Sequence, residues 1–420
     1  MASRSAAAPR WLLPFVAAAV LAGAALRLAW PADMEWKADE QQMYALAGDL
    51  ARGGPLPWVG MSSGVGTRNP GMSVWAFAAV WRAFDVRSPL GLGRAVMTLN
   101  AAALLGLLAL ALTRRREERE GWLWAAALGA ANPGALQLQR KIWAQSILPL
   151  PTLAFLAAFA HRRTIAGAFL WGLLGACLGQ VHMSGFFLAF GVALWTALLD
   201  RGGRAEEKAP VRWGTWLAGS AVGALPLVPW ARAVLLAPGG APARSLAHVQ
   251  ELGFWRDWLL DLGGLQLQYS LRRDYPAFLA GPRVLGFPTY GALALQTALL
   301  AAVVAALILG ARALLRGSSL RERLLSASTA SLLQNGTFLV MGAAITLSGI
   351  KARPHYLLVA FPLTYLWLAR LALWHAAGRK LLAASCALYL ALSGAFLLHV
   401  HRHGGAPGGD YGRSWMAQRR

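Results

Sequence analysis

Charged residues are scarce in this chain, and their scarcity excludes an ordinary soluble protein. Only 14% of the 420 residues are charged, whereas a soluble domain carries about 25%. Acidic residues are the rarest, with 18 Asp and Glu against 40 Lys and Arg. No long polar stretch is present, so no separate soluble domain is expected. Hydrophobic residues make up 57% of the chain, in recurring runs of about 20 that predict a polytopic helical membrane protein.

Cysteine is almost absent as well. Cys177 and Cys386 both lie inside apolar runs, so neither a disulfide framework nor a cysteine-based metal site is expected. The sequence shows no internal repeat. The net charge of +22 does not indicate nucleic acid, because the arginines form short clusters between apolar runs rather than a basic face interleaved with aromatic residues.

The apolar runs predict an all-α protein with about eleven transmembrane helices, at 11–30, 90–112, 121–138, 142–160, 165–181, 184–199, 213–236, 289–311, 325–350, 355–372 and 379–399. Arg4 and Arg10 place the N-terminus in the cytoplasm. The same bias toward positive charge on the inner side assigns five basic loops to the cytoplasm: 113–120, 161–163, 200–212, 311–323 and 378–380. A single transmembrane domain over 1–400 follows, with a short outer tail at 401–420.

The first large outer loop, 31–89, is expected to contain two helices that do not cross the membrane. One is predicted at 40–52, with Asp39 placed to cap it. The other, at 70–84, is apolar but too short for a span, so we expect it on the outer surface.

The second large outer loop, 237–288, contains the amphipathic stretch HVQELGFWRDWLLDLGGLQLQ. Its Trp255 and Trp258 predict a further helix that lies at the membrane surface. This variable type of outer loop is where binding surfaces are usually built, so it is expected to shape the choice of acceptor.

Polar residues gather at the predicted outward ends of several helices. Asp39 and Glu40 follow the first span, and the cations and histidines that accompany them are Arg68, Arg140, Lys141, His182, Lys351, Arg353 and His355. Helical bundles build sites from such convergence. A carboxylate beside several cations suits transfer from a lipid phosphate, because the cations hold the phosphate while the carboxylate takes a proton from an attacking hydroxyl.

The order of these motifs resembles that of the membrane glycosyltransferases of the GT-C fold, which include the protein O-mannosyltransferases and the lipid A aminoarabinose transferase. The motifs are ADEQQMYALAGDL with Asp39 and Tyr44, then RNPGMSVWAFAAVW, GLGRAVMTLN, ANPGALQLQRKIW and KARPHYLLVAFP. The resemblance spans roughly 30–200 and 350–365. It implies that Asp39 is the catalytic base, that Lys351 and Arg353 hold a polyprenyl phosphate, and that His355 assists them.

The resemblance also implies partners and a location. The partners are a polyprenyl-phosphate-sugar donor, a hydroxyl acceptor on a lipid, glycan or protein, and membrane lipids, with no nucleic acid. The site is expected on the outer face of the cytoplasmic membrane. One motif departs from the pattern: QRKIWAQSILPL has no acid after Arg140, where many relatives carry one. The sequence therefore gives no support to a divalent-metal requirement, and no cofactor is expected.

Simpler interpretations stand beside these. In these interpretations Asp39 only caps a helix, and Glu40 only interacts with the helix dipole. Asp33 and Glu35 are then acids exposed to solvent. His182 is more often a hydrogen-bonding group than a ligand, and His399, His401 and His403 suit a flexible basic tail. For the whole chain, the alternative functions are a multi-pass transporter or lipid flippase, and a membrane scaffold without chemistry.

Overall fold

The computed structural model describes residues 8–62, 66, 68–200, 209–236, 244–317 and 324–419. The chain is mostly helical, at 73%. Arg4 and parts of the predicted loops, at 201–208, 237–243 and 318–323, lie outside the described residues.

The helices of the first half coincide with the predicted apolar runs and with the first loop. They are α1 (Leu12–Leu28), α2 (Ala38–Ala51), α3 (Met72–Ala83), α4 (Pro89–Leu112), α5 (Arg116–Ala131), α6 (Pro133–Leu138), α7 (Pro149–Ala160), α8 (Ile165–Val181), α9 (Ser184–Leu199), α10 (Trp213–Ala224) and α11 (Leu227–Leu236). Short 3-10 helices occur at Pro31–Asp33 and Ala144–Ile147.

The second half begins with a group of short helices and ends with long ones. They are α12 (Leu246–Gln250), α13 (Gly253–Leu262), α14 (Gln266–Leu271), α15 (Tyr275–Ala280), α16 (Gly291–Gly317), α17 (Thr329–Asn335), α18 (Gly342–Leu347), α19 (Leu363–Ala372) and α20 (Gly378–His403). A π-helical turn, Gly336–Met341, joins α17 to α18, and 3-10 helices occur at Arg272–Asp274 and Pro354–Ala360.

Strands are few and short in the described part of the chain. They form three antiparallel pairs, β1 (Val59–Ser62) with β2 (Arg68–Pro70), β3 (Arg283–Val284) with β4 (Phe287–Pro288), and β5 (Gly405–Ala406) with β6 (Gly412–Arg413). None belongs to a larger sheet, so helix packing alone builds the core.

Four helical segments are long and apolar enough to cross a membrane, judged by length and composition over the described residues. They are Pro89–Leu112, Gly291–Arg316, Thr329–Leu347 and Gly378–His403. Two bent pairs raise the number to six: α10 with α11, bent by 52°, and Pro354–Ala360 with α19, bent by 78°. Each predicted span coincides with helical residues, but the predicted count of about eleven spans is not confirmed.

Helix α1 shows how the bundle is packed. Its buried residues, Leu12, Val16, Ala19, Val20, Gly23 and Arg27, follow one another at helical spacing and form one face. This face packs on α4 and α5. Gly23 lies so close to α5 that a Cβ atom there would be 2.3 Å from the carbonyl oxygen of Ala130.

The basic loops meet at one end of the bundle, which we call the basic end (113–120, 161–163, 200, 329–330 and 378–380). Arg379 Nε lies 2.7 Å from Glu120 Oε1, and Arg162 Nη2 lies 2.8 Å from Asp200 Oδ2. The backbone N–H of Ala330 donates to Glu118 Oε1 at 3.1 Å. These contacts join the loops that the sequence assigns to one side of a membrane.

Helix α20 connects the basic end to the opposite end. It begins at the Arg379 ion pair and passes α5, where the hydroxyl of Ser393 donates to the carbonyl of Ala131 at 2.7 Å. It continues through His403, with His401 Nδ1 2.7 Å from Asp33 Oδ2. The prediction that His399, His401 and His403 belong to a flexible tail is therefore wrong, because they form the last turns of a packed helix.

The 31–89 loop forms helices near the predicted positions. α3 is only 12 residues long and packs on α2, with Val74 and Phe77 buried and Phe84 exposed behind it. α2 begins earlier than predicted, and its N-cap is Lys37. The prediction that Asp39 caps this helix is therefore wrong, since Asp39 is already its second residue.

The 237–288 loop contains the predicted helix with Trp255 and Trp258, which is α13. Trp258 is fully buried, and its ring packs against Phe254, Phe338 and Trp367. The Trp255 indole N–H donates to the carbonyl of Phe338 at 2.8 Å. One face of this helix thus forms part of the bundle core, because the π-helical turn presents both the ring and the carbonyl of Phe338 to α13, while Leu259 on the helix is exposed.

The close contact at Gly23 generates a stability prediction. Gly23→Ala forces α1 away from α5 and should lower the free energy of unfolding by about 1–3 kcal/mol. Gly394→Ala on α20 is the matched control, because no described atom lies within 4 Å of its Cβ position, and alanine favours a helix by up to about 1 kcal/mol. Thermal unfolding in detergent measures both variants. Equal midpoints for the two would contradict the close packing of α1 on α5.

Candidate functional site

The candidate site lies at the end of the bundle opposite the basic end. This site end consists of residues 30–37, 139–143, 182–184, 354–356 and 404–419. Ring contacts join three of these segments, with Trp143 5.1 Å from His355 and His355 6.1 Å from His182, measured between ring centroids. Glu35 pairs with Ser414 in an antiparallel bridge. The predicted convergence of separate helix ends is therefore present for Lys141, His182 and His355.

A buried carboxylate, Glu35, is at the centre of the site end. It is 1% exposed, and its Oε1 lies 2.6 Å from Lys37 Nζ while its Oε2 pairs with Lys141 Nζ. The Lys141 ammonium also lies 4.4 Å from the centre of the Trp143 ring. Burial alone would lower the pKa of Lys37, but the charges of Glu35, Asp410 and Glu40 raise it above its usual value.

The expectation that Asp33 and Glu35 are solvated is wrong. After α1 the chain turns at Trp30, which has a φ of 43°, and passes through the 3-10 helix Pro31–Asp33. This turn directs the next residues under the C-terminal segment, where Asp33 is 4% exposed and pairs with His401. Nothing in the sequence marks either acid as buried. The only local indication of a buried ion pair is Lys37, two residues after Glu35.

Glu40 is fully buried next to the charge cluster that Glu35, Lys37 and Lys141 form. Its Oε2 accepts the backbone N–H of Lys37 at 3.2 Å, which satisfies one free donor at the start of α2. Burial and the neighbouring Glu35 raise the pKa of Glu40 to about 8, against the opposing effects of Lys141 and Lys37. The contact of Glu40 with the Lys37 N–H is therefore structural.

Asp39 is exposed on the first turn of α2, next to this cluster. Within the part of the chain that the structure describes, its carboxylate makes no hydrogen bond and no ion pair. An exposed carboxylate without a partner is available to a substrate. Tyr44, on the same helix, instead packs between Trp36 and Trp81, with ring centroids 5.9 and 4.8 Å away.

The site end contains two histidines, His182 and His355, in different environments. His182 Nδ1 lies 2.7 Å from the Ser184 hydroxyl, and burial lowers the pKa of His182 to about 4. His355 packs against Trp143 and Tyr356. Its Nδ1 is buried and has no hydrogen-bond partner among the described residues, so this nitrogen is free to bind a ligand or a water molecule.

The predicted cations occupy different environments. Lys351 is exposed and Arg353 is half-buried. Burial raises the pKa of Asp257 to about 6, and the positive charges of Arg256 and Arg353 oppose this rise. Arg68 is exposed on β2, where its carbonyl accepts the indole N–H of Trp230 at 3.1 Å.

Arg140 has a structural position. Its guanidinium donates to the carbonyls of Leu26, Arg27 and Trp30 at 2.9, 2.8 and 3.0 Å, and the side chain is 3% exposed. The carbonyls of Leu26 and Arg27 belong to the last turn of α1 and have no partner within the helix, and that of Trp30 lies just after its end. The donors of Arg140 are thus used inside the protein, and its predicted contact with phosphate is not supported by this geometry.

No group of three or more His, Cys, Asp or Glu side chains among the described residues is placed to hold a metal ion. The site end instead combines carboxylates with ammonium groups at close range.

Comparisons with known proteins give only weak similarity. No protein-family model and no curated protein matches the chain. The solved structures it resembles include the Archaeoglobus fulgidus oligosaccharyltransferase in the apo form, with 14% identity over 91% of this chain and 55% of that chain. The complex of that enzyme with an inhibitory peptide and a dolichol-phosphate has 14% identity over 92% and 56%.

Both superpositions have a TM-score of 0.44. From the coverage of 55% and 56%, the chain spans about half the length of these neighbours. The neighbours are glycosyltransferases of the GT-C fold. A similarity this low does not indicate the function of this chain.

The raised pKa of Glu40 predicts how stability depends on pH. The folded protein binds this proton more tightly than the unfolded chain, so Glu40 makes the protein less stable as pH rises from about 4.5 to about 8. Glu40→Gln stays neutral and keeps an oxygen for the Lys37 N–H. Its unfolding midpoint should equal that of the wild type near pH 5 and exceed it near pH 9.

Thermal unfolding across this pH range measures the difference. Glu117→Gln is the control, because Glu117 is exposed in the first turn of α5. Parallel curves for Glu40→Gln and the wild type would show that Glu40 is not a buried proton site.

Proposed function

We propose that the chain is an integral membrane glycosyltransferase. It transfers a sugar from a polyprenyl-phosphate-sugar donor to a hydroxyl acceptor on a lipid, glycan or protein, at the outer face of the cytoplasmic membrane. The observation that carries the proposal is the charge cluster of Glu35, Lys37 and Lys141, with the exposed Asp39 beside it. Four helices that are long and apolar enough to span a bilayer support a membrane location.

The reaction is a single displacement at the anomeric carbon. Asp39 accepts the proton of the acceptor hydroxyl as its oxygen forms the new bond to that carbon. The bond between the anomeric carbon and the phosphate oxygen breaks, and the lipid phosphate leaves with the bonding electrons. Attack opposite the leaving group inverts the anomeric centre.

Cations at the site end, and in the chain just before its 354–356 segment, stabilise the departing phosphate in this proposal. Lys351 and Arg353 are accessible, and His355 offers a buried nitrogen without a partner. Lys141 contributes positive charge nearby, although its ammonium is already paired with Glu35. Cations held in place before the reaction stabilise developing negative charge without reorganising. Arg140 is not included, because its donors hold the end of α1.

A transporter or lipid flippase is the second candidate function. The bends of 52° and 78° in two helix pairs favour it, since transporters bind substrates at broken helices. Proteoliposomes that take up a sugar-lipid without forming a new glycosidic bond would support this class.

Mass spectrometry of cell-envelope glycans and lipids tests the first candidate. A deletion strain should lack one glycoform, and complementation with the wild-type chain should restore it. The mass that is lost identifies the sugar. A complete set of glycoforms in the deletion strain would overturn the proposal.

The same strain tests the proposed base. Asp39→Asn removes the proton acceptor and should lower transfer by about 100-fold or more at normal expression. Asp49→Asn is the matched control, because it makes the same charge change at an exposed position on the same helix, and it should restore the glycoform fully. Restoration by Asp39→Asn would show that another group accepts the proton.

A further inference from the structure

The C-terminal segment 404–419, which we call the strap, packs along the first loop. The backbone N–H groups of Trp415 and Met416 donate to the carbonyls of Met34 and Ala32 at 2.9 and 3.0 Å. Glu35 and Ser414 form the antiparallel bridge between the two segments. The strap therefore lies directly beside the residues that hold Glu35 and Lys37.

One strap carboxylate, Asp410, contacts cations from two other segments. Its Oδ2 lies 3.0 Å from Lys37 Nζ, and its Oδ1 lies 3.2 Å from Arg272 Nη2. The carbonyl oxygen of Asp410 also accepts a hydrogen bond from Lys37 Nζ. Asp410 thus joins the first loop to the 3-10 helix Arg272–Asp274 of the second large loop.

The position of Asp410 is determined by backbone contacts of the neighbouring strap residues with the second large loop. The N–H of Gly408 donates to Asp274 Oδ2, and the N–H of Tyr411 donates to the carbonyl of Ser270, both at 2.9 Å. A Cβ atom on Gly409 would lie 2.3 Å from the carbonyl oxygen of Ser270, so only glycine allows this approach. The backbone on both sides of Asp410 is therefore held, and its carboxylate is presented to Lys37 at a defined position.

The position of Lys37 depends on acids on two sides. Lysine has a long, flexible side chain that prefers to extend into water, and the Lys37 side chain is 32% exposed. Asp410 holds its ammonium from the strap, and Glu35 holds it from the first loop. Asp410, Lys37, Glu35 and Lys141 form a row of alternating charges that leads from the surface to Trp143.

We propose that Asp410 is a positioning residue for the candidate active site, and that the strap is part of that site. The inference rests on the proposed function. Asp410 keeps Lys37 against Glu35. The charged groups of Lys37 and Glu35, which lie near Asp39 and His355, therefore keep a fixed position relative to a bound substrate. A small displacement of such groups costs a large factor in rate.

The first experiment measures the position of the loop without using activity. Hydrogen exchange of the full-length protein in detergent, read by mass spectrometry, compares Asp410→Asn with the wild type. Exchange should rise in peptides that cover 32–37 and 414–418. Asp85→Asn is the matched control, because Asp85 forms an exposed ion pair with Arg87 in the first large loop, and it should leave exchange unchanged.

The second experiment measures transfer in the complemented deletion strain. Asp410→Asn should lower the restored glycoform at least about tenfold, and Asp410→Glu should recover most of it because a carboxylate again reaches Lys37. Recovery by glutamate distinguishes positioning by charge from a general loss of folding. Unchanged exchange in Asp410→Asn, or raised exchange with full transfer, would overturn the proposal.

The two proposals fail in different ways. If the wild-type chain restores no glycoform, the glycosyltransferase proposal is wrong, and the exchange data still decide whether Asp410 holds the loop. If the wild type restores it and Asp410→Asn does so equally, the strap is not part of the site.

Discussion

The pairing of the buried Glu35 carboxylate with Lys37 and Lys141 is the interaction on which the site end depends. Removing an ion from water costs several kcal/mol, and only close partners of opposite charge offset that cost. Glu35 is 1% exposed and Lys141 is equally buried, so neither can lose its partner without leaving an uncompensated charge. The first loop and the segment after α6 are therefore held together by a constraint that a purely apolar contact would not impose.

Other contacts extend this constraint through the end of the bundle. Arg140, the neighbour of Lys141, donates to the carbonyls of Leu26 and Arg27 in the last turn of α1 and to that of Trp30 just beyond it. Asp33 pairs with His401 at the end of α20, and the His401 ring stacks on Trp30 at 4.6 Å. Arg140 and Asp33 therefore secure helix ends, while Lys141 and Glu35, close to them in the chain, form the buried ion pair. The exposed Asp39 lies beside these residues.

The candidate site was predictable in outline from the sequence, and the roles of individual residues were not. The prediction located acids after the first span and placed Lys141, His182 and His355 at one end of the bundle, as the structure does. It gave the role of base to Asp39, but it did not predict that Glu40 is buried. Successive helical residues point about 100° apart, so the first helical residue decides which acid is buried. Lys37 as N-cap turns Glu40 inward and leaves Asp39 in solvent.

The sequence by itself determined that the chain is a helical membrane protein whose basic loops gather at one end, because hydrophobicity and charge are local properties that a bilayer sorts. The tertiary structure decided the burial of Glu35, the core position of Trp258 and the path of the strap. Each depends on partners far away in the chain, such as Ser414 for Glu35 and Phe338 for Trp258. No local pattern encodes those partners, since a contact between distant segments forms only when the helices between them have packed.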